Sequence, residues 1–226
     1  MVDNLIEDLP YTTSTQHLDN SMYQYSPLDS GCIRLLYQRA EEPGQPIYCD
    51  LLVASLRDLP PYQFLSYIWG RITQKTSVII DHQQYMVYPN LAVALRGIRR
   101  QDTDLVLWVD CLCINMDNPK EKSSQVQLMP QIIQSASETI VWLGLATKDS
   151  DLAMYFVGHH ERIIGKGLTH DEILALNEAL ISLFAGTWWS RIWVVQEVIS
   201  SPSAVVACGS PTVPFEKFVD LRNLNL

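Results

Sequence analysis

The chain has 226 residues, 47% of them apolar and 18% charged, which fits one large domain, or one domain with an appendage, able to bury a core without disulfide or metal staples. Lys and Arg number 16 against 25 Asp and Glu, a formal charge of −9, so neither nucleic acid nor an anionic membrane is an expected partner. Aromatic and branched aliphatic residues run through nearly every window, which excludes a disordered chain.

The five cysteines, Cys32, Cys49, Cys111, Cys113 and Cys208, are scattered and do not form a disulfide framework. The opening residues are acidic where a secretory signal would be basic, and no uncharged apolar run approaches the ~18 residues of a membrane span. A soluble, reduced, cytoplasmic protein is expected. Cys111-Leu-Cys113 lacks the remaining ligands of a metal site. On a strand both thiols point the same way, so they read as buried small hydrophobes. Neither a metal nor a cofactor is expected.

Residues 1–30 are polar and turn-rich. Cys32 to Tyr37 and Ile47 to Val53 read as strands around the turn cluster Glu41 to Pro46, and Pro60-Pro61 ends this part. The boundaries are an N-terminal extension over 1–58 and a main domain over 59–226. In that domain Gln63 to Ser66 is a short strand. Ser77 to Asp81 and Gln84 to Tyr88 flank a polar turn as a hairpin. A helix opens at Pro89 with Asn90 as its cap and runs to Arg99. Leu105 to Val109 is nearly all apolar, a strand buried on both faces.

A helix over Gln125 to Ser137 is kinked by Pro130, or starts after it. Thr139 to Leu143 is the next buried strand. Thr169 and Glu172 have capping-box spacing before a helix that ends near Gly186. Ser190 to about Ser200 is one more helix, and Ala204 to Cys208 a last strand. Strands alternating with helices give an α/β fold: an open, mainly parallel sheet with helices on both faces and a β-hairpin insertion.

Three blocks resemble the fungal heterokaryon-incompatibility (HET) domain. The first is Phe64-Leu-Ser-Tyr-Ile-Trp-Gly70, with Asn90-Leu91 and Ala94-Leu95 downstream. The second is Leu107-Trp-Val-Asp-Cys-Leu-Cys-Ile-Asn115, then Glu121, Gln125, Met129, Ala136 and Val141 to Gly144. The third is Trp189-Ser-Arg-Ile-Trp-Val-Val-Gln-Glu-Val198, followed by Cys208-Gly209. Together they cover roughly 60–210, with one departure, Met116 where the family usually has Gln. The family is in turn similar to TIR domains, and Ser190, Trp193 and Glu197 reproduce their Ser-x-x-Trp-x-x-x-Glu run. In NAD-cleaving TIR domains that Glu is catalytic. The resemblance implies an effector of fungal non-self recognition, innate immunity and regulated cell death. It implies NAD+ as substrate, oligomerisation with copies of itself on activation, and a protein partner from an incompatible allele.

Physical reasoning converges on the same region, because open α/β sheets bind ligands outside the carboxyl ends of their strands. Those ends carry Tyr67, Trp69 and Gly70, then Asp110, then Gly144. Tyr67 and Trp69 offer stacking faces, and Gly70 and Gly144 permit close approach. Asp110 reads equally as a turn carboxylate or as a ribose contact. Trp193 and Glu197, four apart, share a helix face, although core packing is the simpler role for Trp189 and Trp193.

Periodicity alone reads Glu197 as a surface or ion-paired carboxylate, whereas the motif reads it as the catalytic group. Arg191 reads as a phosphate or carboxylate partner. Asn115 and Gln125 admit pocket or turn roles. His159-His160-Glu161 reads as a solvated face, because adjacent helical side chains diverge.

NAD+ cleavage needs little beyond one carboxylate. Nicotinamide leaves as a neutral molecule, and the ribosyl centre becomes oxocarbenium-like. The alternative, from a different class, is a non-catalytic module that signals by self-association.

Overall fold

Four largely buried strands form the middle of the sheet. They are β4 (Gln63–Ser66), β7 (Leu105–Trp108), β8 (Glu138–Gly144) and β9 (Ala204–Cys208), seen in a computed structural model that describes residues 19–70 and 75–221. Residues 1–18, which hold most of the polar N-terminal stretch, lie outside the described residues. The four strands pair in parallel in the order β7-β4-β8-β9. Numbered by their own succession this is 2-1-3-4, so the chain leaves β4 first to one side and later to the other. The topological switch point falls at β4, where such sheets form a crevice at the carboxyl end.

Six further strands extend the sheet to ten, in the order β1-β6-β5-β3-β2-β7-β4-β8-β9-β10. On one flank, β2 (Cys32–Gln38) pairs antiparallel with both β3 (Tyr48–Ser55) and β7. The 32–55 strands are thus part of the central sheet. Beyond them lie the hairpin β5 (Thr76–Ile80) and β6 (Gln83–Val87), then β1 (Asp19–Met22); β10 (Thr212–Pro214) closes the opposite edge. The sheet is therefore mixed, with a parallel centre and flanks in which antiparallel pairs alternate with the parallel pairs β3–β5 and β1–β6, less uniformly parallel than its sequence implied. The hairpin turns at Asp81-His82, both at positive φ (48° and 65°), the backbone of a tight two-residue turn.

Alternation along the central strands divides the core in two. Ile140, Trp142 and Ala207 join one apolar cluster with Leu91, Ala94 and Leu95 of α1 (Pro89–Ile98) and Ile132 and Ile133 of α3 (Pro119–Ser135). Val141, Val206 and Cys208 face a second cluster. It is built from α4 (Lys148–Ile164), α5 (His170–Phe184), a 3₁₀ turn (Thr187–Ser190), α6 (Trp193–Ile199) and α7 (Phe215–Asp220). Helices thus cover both faces.

Several local expectations are corrected. Asp110–Cys113 is a short helix, α2, and no continuation of the strand; both thiols are nevertheless free and buried. The cap of α1 is Tyr88, because Pro89 supplies a first helical residue that needs no N–H partner. Asn90 instead donates from Nδ2 to the Ile68 carbonyl at 3.3 Å. α3 starts at Pro119, where the Asn118 side chain accepts from the amides of Lys120 and Glu121, so Pro130 falls inside the helix.

Candidate functional site

Glu197 reaches the carboxyl end of β4 from α6. Its side chain is almost fully buried, at 5% exposure. The Ser66 hydroxyl donates to Glu197 Oε2 and accepts from Trp188 Nε1 at 2.8 Å. Arg191 bridges the other side: Nη2 lies 3.3 Å from Glu197 Oε1, and Nη1 donates to the Tyr67 carbonyl at 2.8 Å. The Thr139 hydroxyl donates to the Glu197 carbonyl at 3.3 Å. A run of hydrogen bonds from Trp188 through Ser66, Glu197 and Arg191 to Tyr67 thus ties α6 to the switch-point strand.

The break at Arg191 makes this possible. Arg191 is extended between the 3₁₀ turn and α6, so 190–200 is not the single helix the sequence implied. The kink turns Trp188 inward, 1% exposed, and Trp193 outward, 54% exposed. Core packing was expected for Trp193 and is corrected here. The indole that braces the Glu197 network belongs to Trp188, which the sequence motif does not single out. Trp189 packs as expected, beside Phe184, Phe215 and Phe218.

Asp110 opens α2 next to this network. Its Oδ2 accepts from Trp69 Nε1 at 2.9 Å and its Oδ1 from the Cys111 amide at 2.7 Å. Burial pushes its carboxyl above the ordinary range, opposed by those two donors and by the Arg191 charge, and reinforced by the charge of Glu197. Asp110, Arg191 and Glu197 therefore act on one another electrostatically, two carboxylates with one guanidinium between them in charge.

The Tyr67 ring is buried, and its hydroxyl makes no hydrogen bond among the described residues. Burial and then the nearby Asp110 charge hold that hydroxyl well above its ordinary pKa, so Tyr67 stays a neutral donor.

Gly70 serves a close approach within the chain. It sits at φ 78°, and a Cβ there would stand 2.6 Å from Asn90 Nδ2. Gly144 accepts at its carbonyl from the Gly209 amide at 2.8 Å, holding the loops after β8 and β9 together.

Asn115 and Gln125 take structural roles. The Asn115 side chain accepts from the Asp117 amide, and Gln125 Nε2 donates to the Cys32 carbonyl at 2.9 Å. Sequence reasoning missed the buried Arg34–Glu121 pair behind α2. Arg34 Nη1 lies 2.6 Å from Glu121 Oε1 and also donates to the Cys113 carbonyl, while Nη2 donates to the Ser26 carbonyl. An arginine inside the apolar strand 32–37 was the one available signal.

Around Ser66 and Tyr67, then, a buried carboxylate, a bridging arginine and a second, partly desolvated carboxylate meet where parallel sheets take ligands. A family model for heterokaryon incompatibility protein (HET) matches residues 62–197, which span this whole arrangement from the start of β4 to Glu197. The chain is also 29% identical to heterokaryon incompatibility protein 6, OR allele, of Neurospora crassa, a match covering 74% of this chain and 31% of that protein. The chain thus spans about a third of the length of that curated relative. No solved structure gives a significant match. No helix among the described residues is long and apolar enough to cross a membrane. Since the matched span is more than half of its length and carries the network just described, the chain belongs to the heterokaryon incompatibility (HET) family.

Proposed function

We propose that this chain is an effector domain of fungal non-self recognition, and that it drives regulated cell death by hydrolysing NAD+ at Glu197. The observation that carries this reading is the convergence of Glu197, Arg191 and Asp110 at the carboxyl end of β4. The 2-1-3-4 order of the parallel strands and the Ser190, Trp193, Glu197 spacing support a TIR-like relationship.

Arg191 is 26% exposed and holds Glu197 by its longer contact, 3.3 Å against 2.8 Å to Tyr67. The substrate pyrophosphate draws the guanidinium outward, releasing Oε1 toward the nicotinamide ribose. The C1′–N bond then breaks with its electron pair passing to neutral nicotinamide, and Glu197 stabilises the positive charge left on the ribosyl carbon. Water adds to that carbon and loses a proton to solvent, leaving ADP-ribose. Trp69 and the Tyr67 hydroxyl border the base and the sugar, with Gly70 beside them. The active form is a cytoplasmic homo-oligomer, triggered by a protein from an incompatible allele, and it needs neither cofactor nor metal for this reaction.

A second reading, a non-catalytic assembly module, is supported by the outer face of the α6 segment. Ile192, Val195 and Ile199 are 89%, 61% and 77% exposed at the spacing of one helical stripe, with Trp193 beside them. Release of nicotinamide from NAD+ by the purified chain, measured over a range of protein concentrations, separates the two. Release carries the catalytic reading, and self-association without release carries the modular one.

A further inference from the structure

We propose that His160, Glu161 and Asp220 form a binding site for a divalent transition-metal cation that clasps α7 to α4. The sequence reading placed His159, His160 and Glu161 on a solvated face. That holds for His159, whose ring stacks on Tyr155 at 4.6 Å. It does not hold for His160, which is 3% exposed. Its Nδ1 lies 2.9 Å from the Val157 carbonyl. A carbonyl only accepts, so Nδ1 is the protonated nitrogen and Nε2 is the one left to bind a ligand. A backbone carbonyl on the far nitrogen is also how ligating histidines are oriented.

Nε2 makes no hydrogen bond to a described residue. A ligand nitrogen of His160 and carboxylate oxygens of Glu161 and Asp220 lie within 4.8 Å of one another. Metal–ligand bonds of ~2.1 Å place neighbouring donors about 3.0–3.5 Å apart, a contraction that the two carboxylates reach by side-chain rotation. One imidazole and two carboxylates suit zinc and its first-row neighbours over calcium or magnesium, and leave coordination positions for water. Beside the cluster lies a cavity of about 160 Å³ lined by Gly158, His160, Glu161, Arg162 and Lys217.

Lys217 is the internal competitor. Its Nζ pairs with Glu161 Oε1 at 2.9 Å, so an ammonium already neutralises one of the two carboxylates, with Arg162 lining the same cavity. A divalent ion displaces the ammonium and links helices that are adjacent in space and 56 residues apart along the chain at this pair. The role is distinct from the Glu197 network, which α4 and α7 do not enter.

The test is calorimetric titration of the whole chain with Zn2+, thiols reduced and Mg2+ in excess, alongside thermal unfolding. We expect one Zn2+ per chain and a rise in the unfolding midpoint of roughly 5 °C at saturation. His160→Gln and Asp220→Asn should each weaken binding at least tenfold, and Lys217→Met should strengthen it. Should His160→Gln fail to fold, Asp220→Asn decides the matter. No zinc bound to the wild-type chain, or equal binding by wild type and a folded Asp220→Asn, overturns the proposal.

Discussion

Ser66 donates its hydroxyl to the carboxylate of Glu197, 131 residues further along the chain, while accepting the indole N–H of Trp188. One hydroxyl thus satisfies a buried carboxylate and a buried donor. Ser66→Ala leaves Glu197 Oε2 and the Trp188 indole without a partner, while Arg191 keeps Oε1, which should cost about 3 kcal/mol in denaturant unfolding with an unchanged slope. A loss below about 1 kcal/mol would show that the hydroxyl carries no such double duty.

The Arg34–Glu121 pair makes a statement about acid. Burial pulls the Glu121 carboxyl up, but the Arg34 hydrogen bond, the Asn115 amide and the Arg34 charge outweigh it and hold it below its ordinary 4.5. A lowered folded pKa favours the ionised form in the fold. Its stabilisation is therefore present above about pH 4.5 and is lost as pH falls through the folded value. Glu121→Gln should destabilise by about 3 kcal/mol at pH 7, because it leaves a buried guanidinium without its charge partner. It should also flatten the decline in stability below pH 4.5, read as unfolding midpoints of both proteins from pH 7 to pH 3.

Gly97 on α1 sits against Trp142 of β8, and a Cβ there would lie 2.0 Å from the indole. Helix propensity favours Gly97→Ala by up to about 1 kcal/mol, but the ring has no free space to yield because it is 4% exposed. Overpacking should win, with a net loss of about 1–3 kcal/mol. A stabilised Gly97→Ala protein would contradict this packing.

The exposed stripe on the α6 segment separates assembly from stability. Ile192→Asp and Ile199→Asp remove apolar surface that no described residue covers, so each should shift stability by no more than about 0.5 kcal/mol. If copies associate through this face, sedimentation should show a lower association constant for both. Unaltered association would place the contact elsewhere.

The middle of the sheet was legible because 105–108, 138–144 and 204–208 are nearly continuous apolar runs, each ended by a turn residue or a glycine. α2 was not, because Cys111-Leu-Cys113 continues the apolar run of β7 and one turn is too short to show a helical period. α4 was missed for a related reason. Gly158, His159 and His160 interrupt its apolar period, and its capping box uses Ser150 in place of Glu or Gln.

The sequence singled out Glu197 by its motif and Asp110 by its strand-end position, and the fold brings the two carboxylates close enough to act on each other. Trp193 was misjudged because the kink at Arg191 has no propensity signal, and one helix phase cannot place residues on both sides of it. Partners such as Ser66 with Glu197, or Arg34 with Glu121, are joined only by the fold; no spacing in the sequence relates them.

The most direct test of the catalytic reading is NAD+ consumption by the wild-type chain and by Glu197→Gln, at concentrations that permit assembly, with thermal unfolding of the same preparations. Gln keeps the volume and one acceptor for Ser66 but removes the charge. The account predicts a folded variant whose nicotinamide release falls by about 10²–10³. Wild-type turnover by a well-folded Glu197→Gln chain would contradict it.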